Sequence, residues 1–191
     1  MTAVDPIACG AVLVCAFVLA GLAQTAWFAW PGSRRFAIPL DGGLEWRGRR
    51  LLGDHKTVRG FVVMVPAAAL ALPAVASAVG RFSDGALWPL SPARYAGLGA
   101  WCALGFMLGE LPNSFLKRRA GIAPGTSASG AARTWHLLLD RFDSTLGLLL
   151  FAGIVVDVAW TTCLVVLIAG PLLHWAFSVT LFVLGLKPRP A

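Results

Sequence analysis

The sequence predicts an all-α integral membrane protein, a bundle of about five transmembrane helices. Of its 191 residues 58% are hydrophobic and only 13% are charged, whereas about 25% are charged in a typical soluble domain. Long apolar runs alternate with two polar, basic stretches, residues 40–59 and 109–144. Because little water-facing surface remains, the net charge of +7 favours anionic lipids and phosphorylated substrates over nucleic acid as partners.

The first half of the chain predicts three spans. Residues 6–33 carry no charge and exceed the ~20 apolar residues that a bilayer requires. Residues 60–80 form the second span, in which Pro66 and Pro73 predict kinks. Residues 93–111 form the third span. It ends near Glu110, and its glycines suit close helix packing.

Residues 145–186 are long enough for the last two spans. Their single charged residue is Asp157. Gly170-Pro171 is the favoured turn between the two helices. The alternative is a turn near residues 157–162, which would take Asp157 out of the membrane centre, where a carboxylate costs roughly 3 kcal/mol.

The basic residues orient this predicted bundle. With five spans, the first loop, the loop after the third span and the C-terminus share one side, and they hold every Lys and Arg except Arg81 and Arg94. Because positive residues stay cytoplasmic, the N-terminus is expected outside, and the C-terminus and both polar stretches inside. The chain shows no internal repeat or long linker, which favours a single domain over residues 1–191.

The second polar stretch places carboxylates beside cations. Asp140 and Asp143 share a helix face, and Glu110 lies at the end of the neighbouring span. Capping of a helix start would explain the aspartates, and a plain ion pair would explain Glu110. The other interpretation is a Mg²⁺ site, because Mg²⁺ prefers carboxylates together with substrate phosphates. Arg141 could also neutralise one aspartate.

The cations of both stretches allow two interpretations as well. Glycines surround Lys56 and Thr57 as in a phosphate-binding loop, but the P-loop spacing is absent. Lys56 and Arg59 would also suit snorkelling anchors at a membrane edge. His174, in the last apolar run, has no acidic partner in sequence reach and is expected to pack between helices.

The combined motifs resemble those of membrane cytidylyltransferases that activate lipid phosphates with CTP. Residues 56–61 read Lys-Thr-Val-Arg-Gly-Phe, residues 109–118 read Gly-Glu-Leu-x-x-Ser-x-x-Lys-Arg, and residues 139–144 read Leu-Asp-Arg-x-Asp-Ser. With residues 41–43 (Asp-Gly-Gly) and the short chain, the sequence is similar to the CDP-archaeol synthases and, more distantly, to the phosphatidate cytidylyltransferases. Glu110 replaces the aspartate of that family's second motif.

The resemblance implies a reaction and a set of residues. It implies Mg²⁺-dependent conversion of a lipid phosphate, either an archaeal ether lipid or phosphatidic acid, and CTP to a CDP-activated lipid and pyrophosphate, at the cytoplasmic face of the cell membrane. The implied catalytic residues are Lys56, Glu110, Asp140 and Asp143, whose three acids would hold the metal. The implied substrate-binding residues are Asp41, Gly42, Gly43, Thr57, Arg59, Ser114, Lys117, Arg118 and Arg119. A non-catalytic lipid-binding or carrier protein is the alternative, and a homodimer is left open.

Overall fold

The computed structural model describes residues 4–81, 87–122 and 132–185, with side chains from residue 139 onward in the last range. In these ranges the chain is mainly helical, as predicted. The long helices are α1 (Pro6–Ala29), α2 (Val58–Gly80), α3 (Pro92–Arg119), α4 (Ala132–Val155) and α5 (Trp160–Val183).

Two small elements connect α1 to α2. One is a 3₁₀ helix, Pro31–Phe36, and the other is an antiparallel hairpin of β1 (Glu45–Trp46) and β2 (Arg49–Arg50). The hairpin is absent from the all-α prediction. Two-residue strands show no alternation of polar and apolar residues, so the sequence gives no pattern from which to predict them.

Three helices, α1, α2 and α5, are long and apolar enough to cross a membrane. They have 24, 23 and 24 residues, close to the ~20 that a hydrocarbon core of about 30 Å requires. Helices α3 and α4 are as long, at 28 and 24 residues, but each includes part of the second polar stretch. They therefore carry the polar residues of the candidate site into the bundle.

Each long helix packs against the next along the chain, and α5 returns to α1. The apolar core inside this ring includes Leu13 of α1, Leu72 of α2 and Leu98 of α3, each no more than 1% exposed. Glycine brings the backbones close, because a Cβ on Gly99 would lie 2.9 Å from the carbonyl carbon of Ala68. Small residues at such contacts are typical of helix packing in lipid.

The turn between the last two helices lies at residues 156–159, so the favoured turn at Gly170-Pro171 is wrong and the alternative near Asp157 is right. Helix α5 runs through Pro171. The glycine serves packing instead, because a Cβ on Gly170 would lie 2.6 Å from Oγ1 of Thr145. The carboxylate of Asp157 is at a helix end and exposed.

Helices α3 and α4 also extend further into the second polar stretch than predicted. Helix α3 continues past Pro112, whose ring is exposed, to Arg119. Helix α4 begins at Ala132, well before the two aspartates that were expected at its start. Asp140 and Asp143 therefore lie within a helix, not at its start, and their positions are not explained by capping.

Candidate active site

The site is built where α3 and α4 approach most closely. Gly105 and Gly109 of α3 face Gly147 of α4, and a Cβ on Gly147 would lie 2.9 Å from the Cα of Gly109 and 3.0 Å from the carbonyl carbon of Gly105. A Cβ on Gly109 would also collide with the backbone carbonyl oxygen of Asp143. Side chains that flank this contact, Glu110 on α3 and Asp143 on α4, are thereby brought together.

Glu110 joins three elements of the fold. Its Oε2 forms an ion pair with Lys56, which precedes α2. Its Oε1 accepts a hydrogen bond of 2.7 Å from Oγ of Ser144 on α4. Burial alone would lower the pKa of Lys56, but the carboxylates of Glu110, Asp143 and Asp140 together outweigh burial and raise that pKa above its usual value, so the lysine stays charged.

Asn113, one helical turn after Glu110, links the two aspartates. Its Nδ2 donates hydrogen bonds of 2.6 Å to Oδ1 of Asp140 and 3.0 Å to Oδ2 of Asp143. The residue is only 6% exposed, and its Oδ1 has no partner in the described part of the chain. The hydroxyl of Ser144 lies 3.3 Å from Oδ1 of Asp143. A continuous polar network therefore connects Lys56, Glu110, Ser144, Asp143, Asn113 and Asp140.

The basic triplet at the end of α3 is divided among three environments. Lys117 forms an ion pair with Asp140 and extends the network. Arg118 has buried Nε and Nη1 groups that have no partner among the described residues. Arg119 donates through its Nη groups to backbone carbonyls of the β1–β2 hairpin, and only its buried Nε lacks a described partner. Unpartnered guanidinium donors are suited to phosphate oxygens, and within the triplet Arg118 has two of them and Arg119 has one.

Asp41 stabilises the loop between α1 and α2 and does not contact the network. It accepts hydrogen bonds from the amides of Gly43, Leu52 and Gly53 and pairs with Arg50 at 2.5 Å. The Arg50 guanidinium and these amides hold the pKa of Asp41 far below its ordinary value of 3.8.

Five other residues predicted to bind substrate also lie outside the network. Gly42 and Gly43 have left-handed φ angles of 55° and 88° and are exposed. Arg59 donates hydrogen bonds to the backbone carbonyl of Phe28 and to the hydroxyl of Ser33. The Ser114 hydroxyl donates to the backbone carbonyl of Glu110 at 2.9 Å. Thr57 is the N-cap residue of α2 and pairs with Pro39 in a β-bridge. Their roles in substrate binding stay predictions.

The three acids are ligands of the type that Mg²⁺ prefers, but they are not arranged around a common metal position. Glu110, Asp140 and Asp143 offer oxygen ligands alone, and Asn113 adds an unpartnered buried oxygen nearby, which suits a hard divalent cation. Among the described residues, however, no three His, Cys, Asp or Glu side chains stand in a metal-binding group. Lys56, Lys117 and the Asn113 amide bind these carboxylates instead. A Mg²⁺ ion would have to displace these three side chains from the carboxylates.

Three side chains beside the acids were not among the predicted site residues. Asn113 and Ser144 were detectable, because they lie three residues after Glu110 and one after Asp143 within the recognised motifs. His174 packs on Phe106 with ring centroids 6.5 Å apart, as expected, but it is also close enough to Glu110 for a charge interaction. No sequence spacing links His174 to Glu110, because they are on different helices.

Comparison with known proteins assigns this arrangement to a family. The family model described as CarS-like CDP-archaeol synthase matches residues 36–190. The chain belongs to the CDP-archaeol synthase family. The matched region contains both polar stretches and therefore the whole network.

Curated relatives and a solved structure agree with this membership. The CDP-archaeol synthase of Halorubrum lacusprofundi is 36% identical over an alignment of 167 positions, which covers 80% of this chain and 83% of the relative. That of Methanospirillum hungatei is 35% identical over 80% of this chain and 89% of its own. A structure described as an intramembrane enzyme for archaeal membrane lipids biosynthesis superposes with a TM-score of 0.60 and 28% identity, over 87% of this chain and 90% of the other.

Proposed function

We propose that the protein transfers the cytidylyl group of CTP to a lipid phosphate, which gives a CDP-activated lipid and pyrophosphate. The observation that carries the proposal is the network in which Glu110, Asp140 and Asp143 meet Lys56 and Lys117. Such a mixture of acids and bases suits a metal-bound nucleoside triphosphate and a second phosphate. Membership of the CDP-archaeol synthase family supports the same reaction.

In the proposed reaction an oxygen of the lipid phosphate attacks the α-phosphorus of CTP. The bond from that phosphorus to the oxygen bridging to the β-phosphate breaks, and pyrophosphate leaves. The attacking oxygen is already an anion and needs no strong general base, so the rate depends on charge neutralisation and in-line positioning. Mg²⁺, held when bound by Glu110, Asp140 and Asp143, would neutralise part of the phosphate charge.

The cations near the network supply further positive charge. The buried Nε–H and Nη1–H groups of Arg118 have no partner among the residues that the structure describes, and we assign them to phosphate oxygens of CTP. Lys56 and Lys117 carry their charges on flexible four-carbon chains. Both pair with carboxylates of the network and would contribute to phosphate binding from opposite ends of it.

The proposal includes an orientation in the cell membrane. If all five long helices span it, the connection between α1 and α2, the connection between α3 and α4 and the C-terminus share one side. Together with the helix ends beside them, these segments hold every Lys and Arg except Arg81 and Arg94. The excess of positive charge favours the cytoplasm, which is also where CTP is. Asp157 would then lie at the opposite, outer surface.

The test uses purified protein in detergent with radiolabelled CTP and Mg²⁺. Phosphatidic acid and digeranylgeranylglyceryl phosphate are offered in parallel, so that the assay itself distinguishes an ester from an ether lipid substrate. We expect a labelled CDP-lipid from at least one of them. Asp143→Asn should abolish the product, because it removes a carboxylate of the network. Asp157→Asn, which changes an exposed acid at the other end of α4, should leave it unchanged.

Two outcomes would reject the proposal. One is the absence of a CDP-lipid from either lipid by folded protein that CTP also fails to protect against thermal unfolding. The other is equal activity of Asp143→Asn and the wild type. A non-catalytic lipid-binding protein would give the first outcome and would still bind vesicles of anionic lipid.

A further inference from the structure

The β1–β2 hairpin is fastened to the end of α3 by two arginines. Nη2 of Arg119 donates to the carbonyls of Arg49 at 2.9 Å and Arg50 at 2.8 Å, and Nη1 donates to the carbonyl of Trp46. In return, Nη1 of Arg49 donates to the carbonyl of Arg119 at 2.6 Å. Backbone carbonyls from three hairpin residues therefore converge on one guanidinium.

An aromatic contact reinforces the same junction. Trp46 of the hairpin stacks on Phe115 of α3, with ring centroids 5.9 Å apart and ring planes 15° apart. The guanidinium of Arg119 lies 5.5 Å from the first ring centroid and 5.3 Å from the second. A planar guanidinium can stack on rings and donate several hydrogen bonds at once, which a lysine ammonium cannot reproduce.

The hairpin belongs to a closed loop that ends at the active site. The amide of Leu40 donates to the carbonyl of Lys56 at 2.8 Å, and the amide of Val58 donates to the carbonyl of Ile38 at 2.9 Å. These bonds hold the base of the loop at the point where Lys56 reaches Glu110 on α3. The junction with Arg119 is the loop's second attachment to α3, nine residues further along that helix.

We propose that Arg119 is a positioning residue that clamps the hairpin to α3 and so sets Lys56 against Glu110. Both of its Nη groups are committed to backbone carbonyls, and its Nε alone lacks a partner among the described residues, whereas Arg118 has two such donors there, Nε and Nη1. The neighbouring arginines therefore have different tasks, and Arg118 is the phosphate ligand. The catalytic part of this inference rests on the proposed cytidylyltransferase function, but the clamp itself does not.

Amide hydrogen exchange tests the clamp without reference to activity. In Arg119→Gln, exchange in a peptide covering residues 44–52 should become about tenfold faster, while a peptide from α2 stays protected. Arg47→Gln is the matched control, because the Arg47 guanidinium also lies over the Trp46 ring, at 5.3 Å, but is exposed and has no described bond to a hairpin carbonyl. Arg118→Gln should likewise leave hairpin exchange unchanged.

Steady-state kinetics then separate a positioning role from a binding role. Arg119→Gln should lower kcat about tenfold, because Lys56 is misplaced, with KM for CTP within about twofold. Arg119→Lys should behave like Arg119→Gln, whereas Arg118→Gln should raise KM. Unchanged hairpin exchange in Arg119→Gln would refute the clamp. Faster exchange with a raised KM and unchanged kcat would instead make Arg119 a phosphate ligand.

Trp46→Ala keeps the test decisive if Arg119→Gln fails to fold. It weakens the junction from the hairpin side and leaves Arg119 available to a phosphate. The clamp predicts faster hairpin exchange and a lower kcat in this variant, and wild-type behaviour would overturn it. If the protein forms no CDP-lipid at all, the exchange results still decide whether the clamp exists.

Discussion

Gly147→Ala is the most direct structural test of how the active site is assembled. A Cβ at this position would lie 2.9 Å from the Cα of Gly109 and would collide with the backbone oxygen of Gly105. Ordinary contact begins at 3.4 Å, so α3 and α4 must separate by roughly 0.5 Å or more. Both atoms that would be struck belong to backbone and cannot rotate away.

The separation should reduce catalysis more than folding. The hydrogen bonds from Asn113 to Asp140 and Asp143 span this gap at 2.6 and 3.0 Å, and a shift of 0.5 Å or more lengthens both. Since misplacement of about 1 Å can cost ~100-fold in rate, we expect a loss of activity of roughly 10- to 100-fold. Overpacking of this kind costs about 1–3 kcal/mol of stability.

The assay is formation of labelled CDP-lipid by protein that elutes as a folded species in detergent. Gly153→Ala is the matched control, because a Cβ at that position of α4 meets nothing within 4 Å. It should retain wild-type activity. The reasoning would be refuted if folded Gly147→Ala kept its activity within about twofold, since the carboxylates would then not depend on contact between the two helices.

Three further predictions concern other parts of the structure. Asn113→Asp removes both hydrogen bonds to the aspartates and adds a negative charge, so kcat should fall about tenfold or more, whereas an unchanged kcat would show that the amide is dispensable. Asp41→Asn should lower the melting temperature by an amount that is constant near neutral pH and shrinks below about pH 4. The reason is that an acid with a lowered pKa stabilises the fold at pH values above its ordinary pKa, and this stabilisation is lost as the acid becomes protonated. An effect independent of pH would contradict this prediction. Gly170→Ala should lower the free energy of unfolding in mixed detergent by roughly 1–3 kcal/mol, because the added methyl group collides with Thr145, and no change would argue against the described contact between α4 and α5.

The lengths of the apolar runs were sufficient to predict a mainly helical chain with helices that could cross a membrane. Apolar runs of sufficient length gave the helices, and spacing placed Asp140 and Asp143 on one face of α4. The turn at Gly170-Pro171 was wrong because glycine and proline break helices in water, whereas in a membrane bundle they also occur inside helices as packing sites. Sequence patterns alone do not separate these two uses.

Long-range contacts account for what the sequence could not reveal. Arg119 is 70 residues from the Arg49 carbonyl that it binds, and no local pattern connects them. The basic triplet therefore looked uniform, although its three members have different partners. Asn113 was missed for another reason, because an amide has no charge and attracts attention only once its two carboxylate partners are known.

The most direct test of the proposed function measures both products of one reaction. Purified protein is given CTP, Mg²⁺ and a lipid phosphate, and the amounts of pyrophosphate and CDP-lipid are followed together. Cytidylyl transfer through the carboxylate network predicts equal amounts of the two products, no pyrophosphate without lipid phosphate, and neither product with Asp143→Asn. Pyrophosphate released without a CDP-lipid, or equal products from Asp143→Asn and the wild type, would contradict the proposal.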